Sequence, residues 1–155
     1  MNTLRLIRLI LIVPNLMGVT ALMGCAHLVV LHDPLTASEH NDLGVAYESS
    51  GQLDLAAREY RKALRLDSHQ ARTRVNLGNI EAKNAQWRRA EKLYRQALCD
   101  SSTDYDAMNN LAVVLLRQGS NRVEARAWAE RAVAAGGGQD SIYRATLAEV
   151  NSGGH

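Results

Sequence analysis

The chain of 155 residues has only two cysteines, Cys25 and Cys99, and no acidic residue before Asp33. It also lacks the sequence patterns of common catalytic sites. We find no G-x-S-x-G nucleophile turn, no phosphate-binding glycine loop and no H-E-x-x-H metal pair. The carboxylates are scattered along polar stretches instead of being grouped. We therefore predict that the protein is not an enzyme and uses no cofactor and no metal.

Because acidic residues are missing there, the first 24 residues have the composition of an export signal. Arg5 and Arg8 precede an apolar stretch from Leu9 to Gly24, which Pro14 interrupts. A short basic head followed by an apolar core is typical of a signal peptide. The stretch is shorter than the ~20 residues that span a bilayer comfortably. A cleaved signal over residues 1–24 is thus favoured over an uncleaved membrane anchor.

The stretch ends in Leu22-Met23-Gly24-Cys25, which resembles the lipobox of bacterial lipoproteins. In that family the peptide is cut before the cysteine, whose thiol receives a diacylglycerol. The resemblance implies lipidation of Cys25, and in a Gram-negative bacterium Ala26 after it points to the periplasmic face of the outer membrane. Two or three acyl chains hold a protein stably, whereas one holds it only marginally. The alternative is an ordinary signal peptide with an incidental cysteine.

Loss of this signal changes the charge of the chain. The formal net charge of +2 falls to zero, since Arg5 and Arg8 are removed and 16 Lys and Arg then face 16 Asp and Glu. No large basic field is left to attract nucleic acid, so we predict no nucleic-acid partner. With Cys25 acylated, Cys99 has no disulfide partner. We expect Cys99 to be a small buried side chain.

The rest of the sequence repeats itself. Leu43-Gly44, Leu77-Gly78 and Leu111-Ala112 recur every 34 residues, and so do Tyr60 and Tyr94. Each segment contains two helical patterns separated by a short polar break, and the third carries one extra loop residue. The period and residue types resemble the tetratricopeptide repeat. Such a helix pair cannot bury its apolar face alone, so neighbouring repeats must stack.

The resemblance implies an all-α fold, a tetratricopeptide superhelix of about three helix-turn-helix repeats with a C-terminal capping helix. One apolar side of that last helix is expected to contain Ile142, Leu147 and Val150. The predicted segments are a lipoprotein signal peptide (residues 1–24) and a tether (25–36), followed by repeat 1 (37–70), repeat 2 (71–104), repeat 3 (105–139) and the capping helix (140–151).

Several helix ends can be predicted locally. Thr36-Ala37-Ser38-Glu39 predicts a capping box at the start of the first helix, and Thr103 with Asp106 predicts a weaker one at the fifth. Gly136-Gly137-Gly138 predicts a left-handed end to the sixth helix. The sequence departs from the family pattern in several places. In one of them, the large aromatic residue expected early in each first helix is replaced, in turn, by His40, Arg74 and Met108.

In the tetratricopeptide family the first helices line a concave groove, where an asparagine before the Leu-Gly pair often bonds the backbone of a bound peptide. Asn76 and Asn110 occupy that slot here, and an amide can donate and accept at once. Arg72, Lys83 and Arg117 would suit carboxylates on a ligand. We therefore predict a protein or peptide partner in a groove lined by Asn41, Asp42, Arg72, Asn76, Asn79, Lys83, Asn109, Asn110, Val113 and Arg117.

The tether contains Leu28-Val29-Val30-Leu31, which is strand-like. It has three interpretations: packing on the first repeat, pairing with the sheet edge of a partner, or lying at the membrane interface.

Our leading hypothesis for function is a lipid-anchored periplasmic scaffold that binds a protein or peptide, as in assembly of a pilus or secretion machine. Two alternatives stay open. One is a non-catalytic accessory that recruits a peptidase or its substrate, since residues 32–64 loosely resemble repeat regions fused to some bacterial papain-like peptidases. The other is a self-associating structural lipoprotein.

Overall fold

The computed structural model describes residues 33–136 and 140–152, which form seven helices and no strand. This confirms the all-α prediction. None of the helices in this part of the chain is long and apolar enough to cross a membrane. The predicted signal peptide, Cys25 and most of the tether lie outside the described residues. The helices are α1 (Ala37–Ser49), α2 (Leu53–Leu66), α3 (Ala71–Lys83), α4 (Trp87–Asp100), α5 (Tyr105–Gln118), α6 (Arg122–Ala135) and α7 (Asp140–Ser152).

The helices pack as consecutive pairs. The pairs are α1 with α2, α3 with α4, and α5 with α6, and neighbouring pairs meet through α2–α3 and α4–α5. Helix α7 packs on α6 and also contacts α5, so it covers the end of the stack. Three helix-turn-helix repeats and a final helix are therefore present, as the 34-residue period predicts. The second helices bury equivalent sets of side chains: Ala56, Tyr60 and Ala63; Ala90, Tyr94 and Ala97; Ala125, Ala129 and Ala132.

Glycine allows the two helices of a repeat to approach closely. A Cβ atom at Gly44 would lie 2.4 Å from Cε1 of Tyr60, and one at Gly78 would lie 2.6 Å from Cε1 of Tyr94. Both rings are almost fully buried. Each ring therefore occupies the space that a side chain on the facing helix would need.

The predicted capping box of α1 is confirmed. The backbone N–H of Glu39 donates to Oγ1 of Thr36 at 3.3 Å, and the N–H of Thr36 donates to Oε2 of Glu39 at 2.7 Å. The box predicted at α5 is wrong, because the N-cap is Asp104, whose Oδ1 accepts from the N–H of Ala107 at 2.9 Å. Aspartate next to the first helical residue caps as well as a hydroxyl does, so the helix begins one residue later.

Helix α6 ends at Ala135, followed by the C-cap Gly136, as the glycine run predicts, but Gly136 itself is not left-handed, since its φ is −80°. The other two glycines of that prediction lie outside the described residues. Glycine is needed at this position for space, since a Cβ there would lie 2.1 Å from Cδ2 of Tyr143. Within the part of the chain that the structure describes, the left-handed residues lie in the turns within the repeats: Gly51, Ala85 and Gly119, with φ of 77°, 55° and 63°.

At the position where the family expects an early aromatic residue, each of the three repeats has a different side chain with different contacts. In repeat 1, Nδ1 of the buried His40 lies 2.7 Å from Oε2 of Glu59 on α2. In repeat 2, Arg74 forms an ion pair with Asp100 at the end of α4. In repeat 3, Met108 is buried in the apolar core. The two polar side chains are tolerated there because each has a charged partner on the second helix.

Two side chains that were expected to be buried are exposed. Cys99 is a free, exposed thiol. Its neighbours Ala97 and Leu98 take the buried side of α4, and successive helical residues point in different directions. Ile142 is 54% exposed, and the buried side of α7 contains Tyr143, Thr146 and Val150.

Candidate peptide-binding face

The first helices of the repeats expose one polar surface, which we call the first-helix face. Two cavities lie on it, of about 410 and 330 Å³. The larger is lined by Arg72, Val75, Asn76, Asn79, Asp104, Tyr105, Asp106 and Asn110. The smaller is lined by Glu48, Asn79, Ala82, Lys83, Trp87, Tyr94, Asn110, Val113 and Val114.

Asn79 and Asn110 line both cavities and are bonded to each other. Nδ2 of Asn110 donates to Oδ1 of Asn79 at 2.9 Å, and the hydroxyl of Tyr94 donates to the same oxygen at 2.8 Å. Burial raises the pKa of Tyr94, so its hydroxyl stays protonated and remains a donor. Among the described residues, Nδ2 of Asn79 and Oδ1 of Asn110 have no partner. One donor and one acceptor are therefore available side by side between the two cavities.

A second amide pair connects repeats 1 and 2. Nδ2 of Asn76 donates to Oδ1 of Asn41 at 3.1 Å, and Oγ1 of Thr73 donates to that oxygen at 3.0 Å. Asn41 in turn donates to Oδ1 of Asp42 at 3.3 Å. Asp42 is exposed and lines neither cavity. The predicted residues Asn41 and Asn76 thus meet, while Asp42 lies at the edge of the face.

The ends of the first-helix face differ in charge. Lys83, which we predicted in the groove, lies with its Nζ 2.7 Å from Oε1 of Glu48, so its charge is balanced. At the other end, Arg72 shares the larger cavity with Asp104 and Asp106 and has no ion pair within the described part of the chain. One oxygen of Asp106 accepts from the hydroxyl of Tyr143 at 2.8 Å. Two carboxylates against one guanidinium leave this end acidic.

Two more of the predicted groove residues, like Asn41 and Asp42, line neither cavity. Asn109 is only 6% exposed and lines neither cavity, since it lies on the buried side of α5. Arg117 lies at the end of α5, lines a third cavity, and its Nη2 is 3.3 Å from Oε1 of Glu149 on α7. The remaining predicted residues, Arg72, Asn76, Asn79, Lys83, Asn110 and Val113, all line one or both cavities.

Sequence reasoning missed several residues of this face, among them Glu48, Trp87, Asp104 and Asp106. Glu48 could have been predicted from the sequence, because it lies seven residues after Asn41 and therefore on the same side of α1. Trp87 and Tyr94 belong to α4, and only the packing of the second helix brings them to this surface.

Replacement of Asn109 by leucine is expected to raise the free energy of unfolding by about 1 kcal/mol. Its Oδ1 is buried with no hydrogen-bond partner, and an unsatisfied buried polar group costs about 1–3 kcal/mol. Leucine has a similar branched shape without the polar atoms. Urea denaturation followed by circular dichroism checks this, and a loss of stability would show that the amide has a partner. Because Asn109 lines neither cavity, partner binding should be unchanged.

The described residues contain no group of three His, Cys, Asp or Glu side chains that could hold a metal ion. The tetratricopeptide-repeat family matches residues 37–69 and residues 75–140 of the chain. The stacked helix pairs and the sequence therefore agree, and the chain belongs to the tetratricopeptide-repeat family. No curated protein matches it.

Solved structures share this fold at low sequence identity. The first tetratricopeptide domain of Spaghetti (RPAP3), bound to the HSP90 peptide SRMEEVD, has a TM-score of 0.70 at 16% identity, covering 79% of this chain and 95% of that one. The Arabidopsis OM64 tetratricopeptide domain has a TM-score of 0.70 at 16% identity, covering 75% and 94%. The Yersinia enterocolitica type III secretion translocator chaperone SycD has a TM-score of 0.68 at 17% identity, covering 74% and 82%.

Proposed function

We propose that the protein is a scaffold that binds an extended segment of a protein partner on the first-helix face. The observation that carries this proposal is the Asn79–Asn110 pair, with one unused donor and one unused acceptor between two cavities. A peptide bond presents the complementary acceptor and donor. The two amides therefore suit the backbone of a chain, and the cavities suit its side chains. A structure of the same fold contains a bound peptide, which supports this mode of binding.

The charges on the face restrict which segment fits. Asp104 and Asp106 favour a basic or amino-terminal group in the larger cavity. The smaller cavity has an apolar side made by Val113, Val114 and Trp87 and favours an apolar side chain. We therefore propose that the segment carries a cationic residue followed or preceded by an apolar one.

The double variant Asn79→Ala with Asn110→Ala tests this function. Removal of both amides avoids leaving either one unpaired, and we expect partner binding to weaken by at least about tenfold, since each lost hydrogen bond is worth about 1 kcal/mol. The full chain is extracted from membranes in detergent, proteins that co-purify are identified, and the dissociation constant of each is measured by titration calorimetry.

Asn151→Ala, on the exposed side of α7, is the matched control and should bind as the original chain does. Circular dichroism must first show that each variant is folded, because the hydroxyl of Tyr94 loses its acceptor. Unchanged affinity in the double variant would rule out the first-helix face as the binding site. Light scattering on the same samples distinguishes self-association from partner binding.

We further propose that Cys25 carries lipid and holds the scaffold on the periplasmic face of the outer membrane, where it serves assembly of an envelope machine. The support is in the sequence: a basic head, an apolar core and Leu22-Met23-Gly24-Cys25. A partner that belongs to a pilus or secretion complex would favour the assembly role over peptidase recruitment.

Replacement of Cys25 by alanine is expected to abolish incorporation of labelled palmitate and to release the protein from the membrane fraction. Cys99→Ala is the matched control, since that thiol is exposed and lies on a helix. It should leave both measurements unchanged. Palmitate label that persists in the Cys25 variant would contradict the anchor, and processing to a soluble form would favour an ordinary signal peptide.

A further inference from the structure

A cavity of about 620 Å³ lies at the loop end of repeat 2, outside the first-helix face. Its walls are the turn between α3 and α4, the first turn of α4 and the end of α5. Three guanidinium groups from two helices line it, and we call it the arginine cavity. Its lining residues are Ala85, Gln86, Trp87, Arg88, Arg89, Arg117, Gln118 and Ser120.

The carboxylates around the arginine cavity do not balance its positive charge. Arg88 has no ion pair within the described residues. Nη1 of Arg89 is 3.8 Å from Oε2 of Glu81, whose other oxygen already binds Arg61 at 2.8 Å. Arg117 pairs with Glu149 at 3.3 Å, and both of those side chains are about half exposed. A net positive charge is therefore left facing solvent.

The backbone adds charge of the same sign. Helix α4 begins at the cavity, its N-cap Gln86 makes no side-chain hydrogen bond, and its first turn contains no acidic residue. The N-terminal end of a helix carries a partial positive charge, which favours acidic side chains by about 0.3–1 kcal/mol each. Arg88 and Arg89 in this turn oppose that preference. The stability of helix α4 therefore does not explain why arginines occur at these two positions.

The repeat provides an internal comparison. The same cavity exists 34 residues earlier, lined by Gly51, Gln52, Leu53, Asp54, Leu55 and Asn84. There Asp54 stands in the place of Arg88, and Leu55 in the place of Arg89. Helix α6 likewise has an acidic residue, Glu124, in its first turn. The fold therefore forms this end of a second helix without arginine, and the arginines of repeat 2 need another explanation.

The geometry points to the arginine cavity as a binding site for an acidic segment of a protein partner, one with two or more neighbouring carboxylates. Guanidinium groups bind carboxylates through paired hydrogen bonds. Because three guanidinium groups from two helices line the cavity, it suits a ligand with several carboxylates better than a ligand with a single carboxylate. Trp87 lines both this cavity and the smaller cavity of the first-helix face. A chain bound on that face can therefore continue into the arginine cavity, and in this respect the inference rests on the proposed function.

The fluorescence of Trp87 reports on this site. Replacement of the only other tryptophan, Trp128, by phenylalanine leaves Trp87 as the single indole. The full chain in non-ionic detergent is titrated with an acetylated, amidated peptide of six glutamates, and with peptides of six lysines or six glutamines. We expect a saturable change with the glutamate peptide alone, which weakens as salt is added.

The test variant is Arg88→Asp with Arg89→Leu, which installs the residues of repeat 1 and should therefore fold. We expect the glutamate peptide to bind at least about thirtyfold more weakly, because several charge-assisted hydrogen bonds are lost. The matched control, Arg58→Asp with Arg126→Leu, changes the net charge equally at two exposed arginines elsewhere and should bind as before. If the control variant lost as much affinity for the glutamate peptide as the test variant, the effect would come from overall charge, and the arginine cavity would be ruled out as the binding site.

Other outcomes also decide the proposal. Equal binding of the glutamate peptide by the test variant and the original chain would overturn it. Binding of inorganic phosphate, or of vesicles containing phosphatidylglycerol, without binding of the glutamate peptide would overturn it in favour of a free anion or a membrane surface. The Asn79→Ala, Asn110→Ala variant should keep its affinity for the glutamate peptide. Failure of the first-helix face and failure of the arginine cavity are thus distinguishable.

Discussion

Replacement of Gly78 by alanine is expected to destabilise the protein by about 2 kcal/mol, within the range for overpacking of a tight core. The new Cβ would lie 2.6 Å from Cε1 and 3.0 Å from Cζ of Tyr94. The ring cannot swing away, because it is 1% exposed and its hydroxyl is bonded to Asn79 at 2.8 Å. Alanine also favours a helix over glycine by about 1 kcal/mol. We expect a net loss of stability because the cost of the clash with Tyr94 exceeds this gain in helix propensity.

A double-mutant cycle separates the two effects. Repeat 3 contains Ala112 at the position of Gly78 and Ala129 at the position of Tyr94, both fully buried. In a Tyr94→Ala background, Gly78→Ala should therefore change sign and stabilise the protein by up to about 1 kcal/mol, the helix-propensity gain alone. Tyr94→Ala by itself should cost about 3–5 kcal/mol.

The cycle is measured by urea denaturation with circular dichroism. Ala46→Gly, at an exposed position within α1, gives the propensity effect without a clash and serves as its control. If Gly78→Ala destabilised equally in both backgrounds, the close approach of the helices would not be the reason for glycine. The coupling should exceed the ~0.5 kcal/mol expected between independent sites.

Replacement of Glu59 by leucine is expected to destabilise the protein by about 2 kcal/mol, within the range of about 1–3 kcal/mol for a buried polar group that loses a hydrogen-bond partner. Nδ1 of His40 lies 2.7 Å from Glu59, and the side chains are 1% and 9% exposed. Lys62 approaches the other carboxylate oxygen at 3.1 Å. The variant leaves the buried imidazole without this acceptor.

The other repeats show how the loss can be reversed. Met108 occupies the place of His40 in repeat 3, and Leu93 occupies the place of Glu59 in repeat 2. His40→Met combined with Glu59→Leu should therefore return the free energy of unfolding to within about 1 kcal/mol of the original, since replacing both partners of a buried hydrogen bond by apolar side chains can be nearly neutral. A double variant as unstable as the single one would show that His40 and Glu59 act independently.

The same pair gives a dependence on pH. Burial acts to raise the pKa of Glu59, but hydrogen bonds from Lys62 and His40 outweigh it and hold the pKa below its ordinary value. A depressed carboxyl pKa stabilises the fold above the pKa of the unfolded chain, about 4.3 for glutamate. This stability is lost as the pH falls through the folded value. Thermal melts below pH 5 should thus show a smaller fall in melting temperature for the His40→Met, Glu59→Leu variant than for the original chain.

The sequence alone determined the helical fold and its period. Apolar residues at helical spacing, glycine and tyrosine at 34-residue intervals, and the capping box at Thr36 are local or periodic features. Each acts on a few neighbouring residues or repeats along the chain, so the pattern is readable without coordinates. The resemblance to the tetratricopeptide repeat implied that the first helices share one face, and spacing along each helix then selected its residues. Six of the selected residues line the cavities: Arg72, Asn76, Asn79, Lys83, Asn110 and Val113.

Only the tertiary structure decided what those sides contact. The pairs His40–Glu59 and Arg74–Asp100 join different helices, and their formation depends on how one helix is rotated against the next. Asn109 has the spacing of a groove residue, yet it is buried in the packed stack. The arginine cavity likewise combines residues of α4 and α5 that are almost 30 positions apart. Helical periodicity specifies directions around one axis, whereas packing between axes determines partners, burial and net charge at a site.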